Sequence, residues 1–155
     1  MKTIWLLLGV ALMNSAVTNA LAAEEHGNMQ HMMHHNMQDA VDTRTPLNLS
    51  PEMKQHQLSN MRSHVEAVQS IVGLVANGDF DQASQIAHAK LGLTDEMKKM
   101  CGSFGNEDFN KLGLAFHKSG DELGEVLKTK YTKKSLQALN HTMGYCVQCH
   151  ATYRQ

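Results

Sequence analysis

The sequence predicts an all-α fold, an antiparallel up-down-up-down four-helix bundle over residues 47–155. Three observations predict it. Apolar side chains recur at gaps of three and four in four successive stretches; start and stop residues bracket those stretches; and nothing alternates with period two over a useful length. Short turns between the stretches make successive helices antiparallel, and each apolar stripe supplies one wall of a shared core.

The first helix starts at Ser50-Pro51-Glu52, a capping hydroxyl, a proline at the first helical position and then an acid. Its stripe reads Leu58, Met61, Val65, Val68, Val72 and Val75, and Asn77-Gly78 stops it. The second runs from about Asp79 to Leu91, with Phe80, Ala83, Ile86 and Ala87 inward and Gly92 at its end. Thr94-Asp95-Glu96 can start one further short turn. The third helix opens at Asn106-Glu107-Asp108, a cap followed by acids. Its stripe is Phe109, Leu112, Phe116, Leu123 and Val126 or Leu127. Gly113, Gly120 and Gly124 each weaken it by up to ~1 kcal/mol relative to alanine, and either admit a close neighbour or are simply tolerated. The fourth starts near Thr132 and carries Leu136, Leu139, Met143, Cys146, Val147 and His150.

Residues 1–22 read as a secretory signal peptide. Lys2 gives a positive start, the run from Ile4 to Val17 is mostly apolar, and Ala20-Leu21-Ala22 is a small-x-small cleavage site. The run is too short, and too interrupted by Asn14 and Ser15, for a comfortable membrane span, so no stable span is expected in the mature form. With Lys2 removed, 13 basic side chains face 15 acidic ones. No basic stripe exists to neutralise phosphates, so nucleic acid is not an expected partner. Export predicts a periplasmic location.

The chemistry sits at the C-terminal end, in Cys146-Val147-Gln148-Cys149-His150. Two thiols three residues apart on one helical turn can add to two vinyl groups of one porphyrin, and the adjacent histidine then brings an imidazole nitrogen under the iron. The sequence therefore predicts one covalent haem c per chain, anchored by Cys146 and Cys149 with His150 as the axial ligand. A redox dithiol would normally accompany a βαβ pattern, which is absent, and a zinc site would need a second ligand pair. Two cysteines consumed as thioethers leave Cys101 alone, read as a buried small apolar side chain in preference to an intermolecular disulfide. The glycines of the third helix would then admit a haem edge, if they admit anything.

The site lies close to the end of the chain, on the last of four helices, and this resembles the class II cytochromes c, the cytochrome c′ family. The stretch Cys146-Val147-Gln148-Cys149-His150-Ala151-Thr152-Tyr153-Arg154 is similar to that family's C-terminal signature, including the aromatic–arginine pair. The resemblance covers about residues 50–155. It implies a four-helix bundle, haem c, a periplasmic location and frequent homodimers, and it places Arg154 near the axial histidine or a haem propionate. Some members of that family leave the far side of the iron to an apolar guard and bind nitric oxide or carbon monoxide. Others place a methionine there and transfer electrons.

The first and last helices are antiparallel neighbours in such a bundle, so the start of one faces the end of the other. Met61 lies about 16 Å along the first helix and His64 about 4–5 Å further, while His150 lies about 8 Å from the opposite end. Met61 is in the seam between Leu58 and Val65, with His64 at its border. Met61 is the candidate for the distal position, as ligand or as guard. His64 stays open as an alternative, as does Met53.

Residues 23–46 differ in composition and read as a disordered arm rich in histidine and methionine. His31, His34 and His35 with Met32 and Met33 offer donors that suit copper, the thioethers favouring Cu(I). Cleavage after Ala23 would instead put His26 third from a free amine, a square-planar Cu(II) or Ni(II) chelate. The leading function is therefore a periplasmic monohaem electron carrier with His/Met-ligated iron and redox-protein partners. The alternative is a five-coordinate haem protein binding nitric oxide or carbon monoxide. No acid–base or nucleophile constellation suggests an enzyme.

Overall fold

The computed structural model describes residues 41–155. The signal peptide, the arm histidines His26, His31, His34 and His35, and the arm methionines lie outside the described residues. Every element below belongs to one unit, Thr43–Gln155.

The unit is predominantly helical: α1 is Pro51–Asn77, α2 Phe80–Ile86, α3 Asp95–Gly102, α4 Glu107–Leu127 and α5 Thr132–Thr152. A π-helical turn, Ala87–Leu91, continues α2. The start signals act as their chemistry dictates. The Ser50 hydroxyl accepts from Met53 N, Thr94 from Met97 N, and the Asn106 side chain from Phe109 N. Gly78 ends α1 with φ 82°, the left-handed geometry a Cβ would oppose, and its N–H closes onto the last turn. The short turn expected after Thr94 is a full helix of eight residues.

Two short strands were not expected. Thr45–Pro46 (β1) pairs in parallel with Tyr153–Arg154 (β2), and Leu47 N extends the pairing to Arg154 O at 3.0 Å. The end of the expected arm is thus clamped onto the C-terminus. Leu47 is buried behind it against Phe104 and Phe109, in a small cluster that also takes in Met53, Met100, Cys149 and Tyr153. The main core joins Ala67, Ile71 and Val75 of α1 to Ala83, Ala87, Leu91, Phe116, Leu123, Leu127 and Leu139.

The glycines of α4 do admit neighbours, and for Gly120 and Gly124 the neighbours come from the π turn and not from a cofactor. A Cβ on Gly120 would strike the Leu91 carbonyl, and one on Gly124 the His88 imidazole. Asp121 ties the same corner: its carboxylate accepts from Leu93 N at 2.9 Å and meets His88 Nδ1 at 2.9 Å. Gly113 instead faces Cys101 Sγ.

The stripes on the first and last helices are only partly rotated from expectation: Val75 and Leu139 are buried as their stripes predict and Val68 packs against the core, but other members are not. Val65 is 70% exposed and Val72 47%, while Gln57, His64, Ala67, Ile71 and Val75 are buried. On α5, Ser135, Leu139 and Thr142 are buried, whereas Leu136, Met143 and Val147 are exposed. The reason is which partner each helix chooses. α1 packs on α2 and the π turn, and α5 packs along α4, but α1 and α5 make few contacts with each other. Apart from Val75 and Leu139, much of what reads as core seam in the sequence points toward the space between these two helices or outward beside it.

Candidate cofactor cavity

That space contains a cavity of about 550 Å³, inside the range of roughly 300–1,000 Å³ for cofactor and ligand sites. One wall comes from α5 and carries Cys146, Cys149 and His150. The opposite wall comes from α1 and carries Gln57, Met61, His64, Val65 and Val68. Phe116 and His117 of α4 reach it, and Arg44, Lys54 and Arg154 also line it. The residues singled out by motif and by helix position, Cys146, Cys149, His150, Arg154 and Met61, therefore share one cavity, with His64 beside Met61.

Cys146 and Cys149 are free thiols and half-buried; His150 stands exposed at the rim. Burial raises the Cys146 thiol above its ordinary pKa, and it pushes Cys149 up to about 11, with the nearby Cys146 and Cys101 adding to the shift. Cys101, buried as expected, lines the same cavity. Its thiol is likewise raised by burial. All three sulfurs therefore stay protonated at neutral pH, which suppresses oxidation.

The clamp bears on His150. Arg44 Nη1 donates to the His150 carbonyl at 3.2 Å, and Arg154 Nε donates to the Arg44 carbonyl at 3.3 Å. Sequence reading missed Arg44 because its partner is more than a hundred residues away; the signal available was the arginine just before Thr45-Pro46. Arg154 is linked to the His150 backbone through Arg44.

His64 and His117 form a buried aromatic corner with Phe116. The His64 ring lies 4.9 Å from Phe116 and 5.5 Å from His117, centroid to centroid. His117 Nδ1 lies 3.0 Å from the Leu91 carbonyl, the geometry of a donated N–H, so this histidine ties α4 to the π turn. Burial and the neighbouring His117 lower the His64 pKa to about 4, so the ring is neutral near pH 7. The sign of the linkage follows. Above about 6.5 neither folded nor unfolded chain holds the proton, and His64 costs nothing. Between 6.5 and 4 the unfolded chain binds a proton that the folded chain refuses, so stability falls by up to about 3 kcal/mol over that window. Denaturant midpoints of the haem-free polypeptide at pH 7 and pH 4.5 should show this loss, and His64→Leu should remove most of its share.

The cavity fits a haem on three counts visible in the structure. Both thiols of the motif open into it. Gln57 Oε1 is buried with no hydrogen-bond partner among the described residues, and Gln57 lines the cavity. Cationic side chains suited to propionates line it as well. The chain matches no protein-family model, no curated protein and no solved structure.

Proposed function

We propose that this chain is an exported monohaem c-type cytochrome of the class II kind, a four-helix bundle that carries electrons in the periplasm. The observation that supports it most is the shared cavity of Cys146, Cys149 and His150 opposite Met61 and His64. Cys146 and Cys149 would hold haem c as thioethers and His150 would ligate its iron. Bound haem would supply one-electron Fe(III)/Fe(II) cycling.

The chain's own residues do the rest. Arg44, through the His150 carbonyl, holds the backbone that aims the imidazole. Val65, Val68 and Phe116 present apolar surface that would keep water from the site. Gln57 can turn its amide to satisfy a polar edge, and Lys54, which also lines the cavity, would neutralise a carboxylate. Met61 is the proposed distal ligand; a thioether there would raise the reduction potential above that of a bis-histidine site. No substrate bond is broken, and redox proteins are the proposed partners, with homodimer formation as the family resemblance implies.

Covalent attachment tests the reading. Purified mature protein should retain its haem through denaturation and acid–acetone extraction, and Cys146→Ser/Cys149→Ser should lose it. Haem that extracts freely from the wild type would overturn the assignment.

A second reading keeps the same site with five-coordinate iron binding nitric oxide or carbon monoxide. The apolar side chains Val68 of α1 and Phe116 of α4 favour it, since both line the cavity and would guard an open position.

A further inference from the structure

Two nitrogens converge on one thioether where α1 meets α3. His56 Nε2 and Asn60 Nδ2 each lie 3.0 Å from Met100 Sδ. His56 and Asn60 are four residues apart on α1 and therefore share a face. Met53 stands three residues before His56 and packs in the same small cluster as Met100.

Hydrogen bonding explains this arrangement poorly. A thioether is a weak acceptor, and His56 is exposed, with water available as a better partner. Coordination of a soft cation explains it well. A cation about 2.0 Å from an imidazole nitrogen and about 2.3 Å from sulfur holds the two donors roughly 3.0–3.7 Å apart as the angle between them opens from 90° to 120°. The observed separation is at the near edge of that range, so closing on a cation needs only a small movement of an exposed side chain. The donors also select the ion. Thioether and imidazole, with no thiolate or carboxylate among them, suit Cu(I) and leave hard cations without their preferred oxygens. Among the described residues no three His, Cys, Asp or Glu side chains converge on a metal position, and the central donor here is a methionine.

We propose that His56 and Met100 form a binding site for a soft monovalent cation, Cu(I), with Asn60 buttressing the thioether and Met53 supplying the second sulfur. The site uses neither His150 nor Met61, although Asn60 and Met100 also line the cavity.

Silver(I) serves as the probe, because it mimics Cu(I) and, unlike Cu(I), cannot reduce haem iron. Mature haem-loaded protein carrying methyl-labelled methionine would be titrated with Ag(I) and followed by NMR, which reads each methionine separately from those of the arm. The Met100 methyl signal should shift and saturate, and Met53 should follow it. His56→Ala, a change at an exposed position, should weaken the Met100 response at least tenfold, and Met100→Leu should abolish the Met53 response. A Met100 signal that stays fixed while arm methionines titrate would overturn the site. A Met100 response unchanged in His56→Ala would overturn the pairing.

Discussion

Leu123→Ala is expected to lower the unfolding free energy by about 2–5 kcal/mol, and Gly120→Ala, one turn earlier on α4, by about 1–3 kcal/mol. The two are opposite errors at one contact. Leu123 is fully buried in the main core, so truncation leaves a cavity its neighbours fill only in part. Gly120 has no room at all: a Cβ there meets the carbonyl carbon of Leu91 at 2.6 Å and its oxygen closer still, and backbone cannot swing aside as a side-chain end can. Alanine would gain up to about 1 kcal/mol in helix propensity, which is smaller than the cost of forcing α4 from the π turn. Gly113→Ala is the control. Its Cβ meets only the Cys101 side chain, Sγ at 3.0 Å and Cβ at 3.9 Å, and the substitution should be close to neutral. Denaturant unfolding of the three variants checks the order. A neutral Gly120→Ala would mean that the π turn and α4 are not in close contact.

The contrast between those glycines shows what sequence can and cannot carry. Helix starts are local chemistry, and Ser50-Pro51, Asn106 and Gly78 were legible because each cap acts within three or four residues of itself. The placing of Cys146, Cys149 and His150 on one helix was legible for the same reason. The π turn was not, because the groups that hold it, Asp121, His117 and the two glycines, come from α4. The clamp of Thr45–Pro46 on Tyr153–Arg154 was invisible because two-residue strands leave no periodic trace. The partly rotated stripe of α1 is the most informative case. Val65 and Val68 line the cavity between α1 and α5, while Val75 lies in the core packed on α2 and the π turn, since both faces are apolar and periodicity cannot tell a cavity wall from a packed core. His64, read as a border residue, is buried, and that alters the weighing of the distal position.

Met61 and His64 make the last expected result a contest between two side chains on one wall. Both line the cavity opposite the cysteines. Met61 is half-buried, with a thioether that needs no deprotonation to ligate. His64 is buried and neutral, so its imidazole is also a competent ligand, although it packs against Phe116 and His117, and swinging to iron would break that corner. Ligation by Met61 therefore disrupts less of the packing. The oxidised protein should then be low-spin with the weak far-red sulfur-to-iron charge-transfer band, and carbon monoxide should bind the reduced form slowly, because the methionine must first leave. Met61→Ala should open the sixth position, giving high-spin iron and faster carbon monoxide binding, while His64→Ala should leave the spectrum nearly intact. A low-spin spectrum lost only on removing His64 would make this a bis-histidine site with a correspondingly lower potential. A high-spin wild-type spectrum that Met61→Ala does not alter would refute ligation by either and move the function to binding nitric oxide or carbon monoxide, with Met61 as one side chain of the apolar guard.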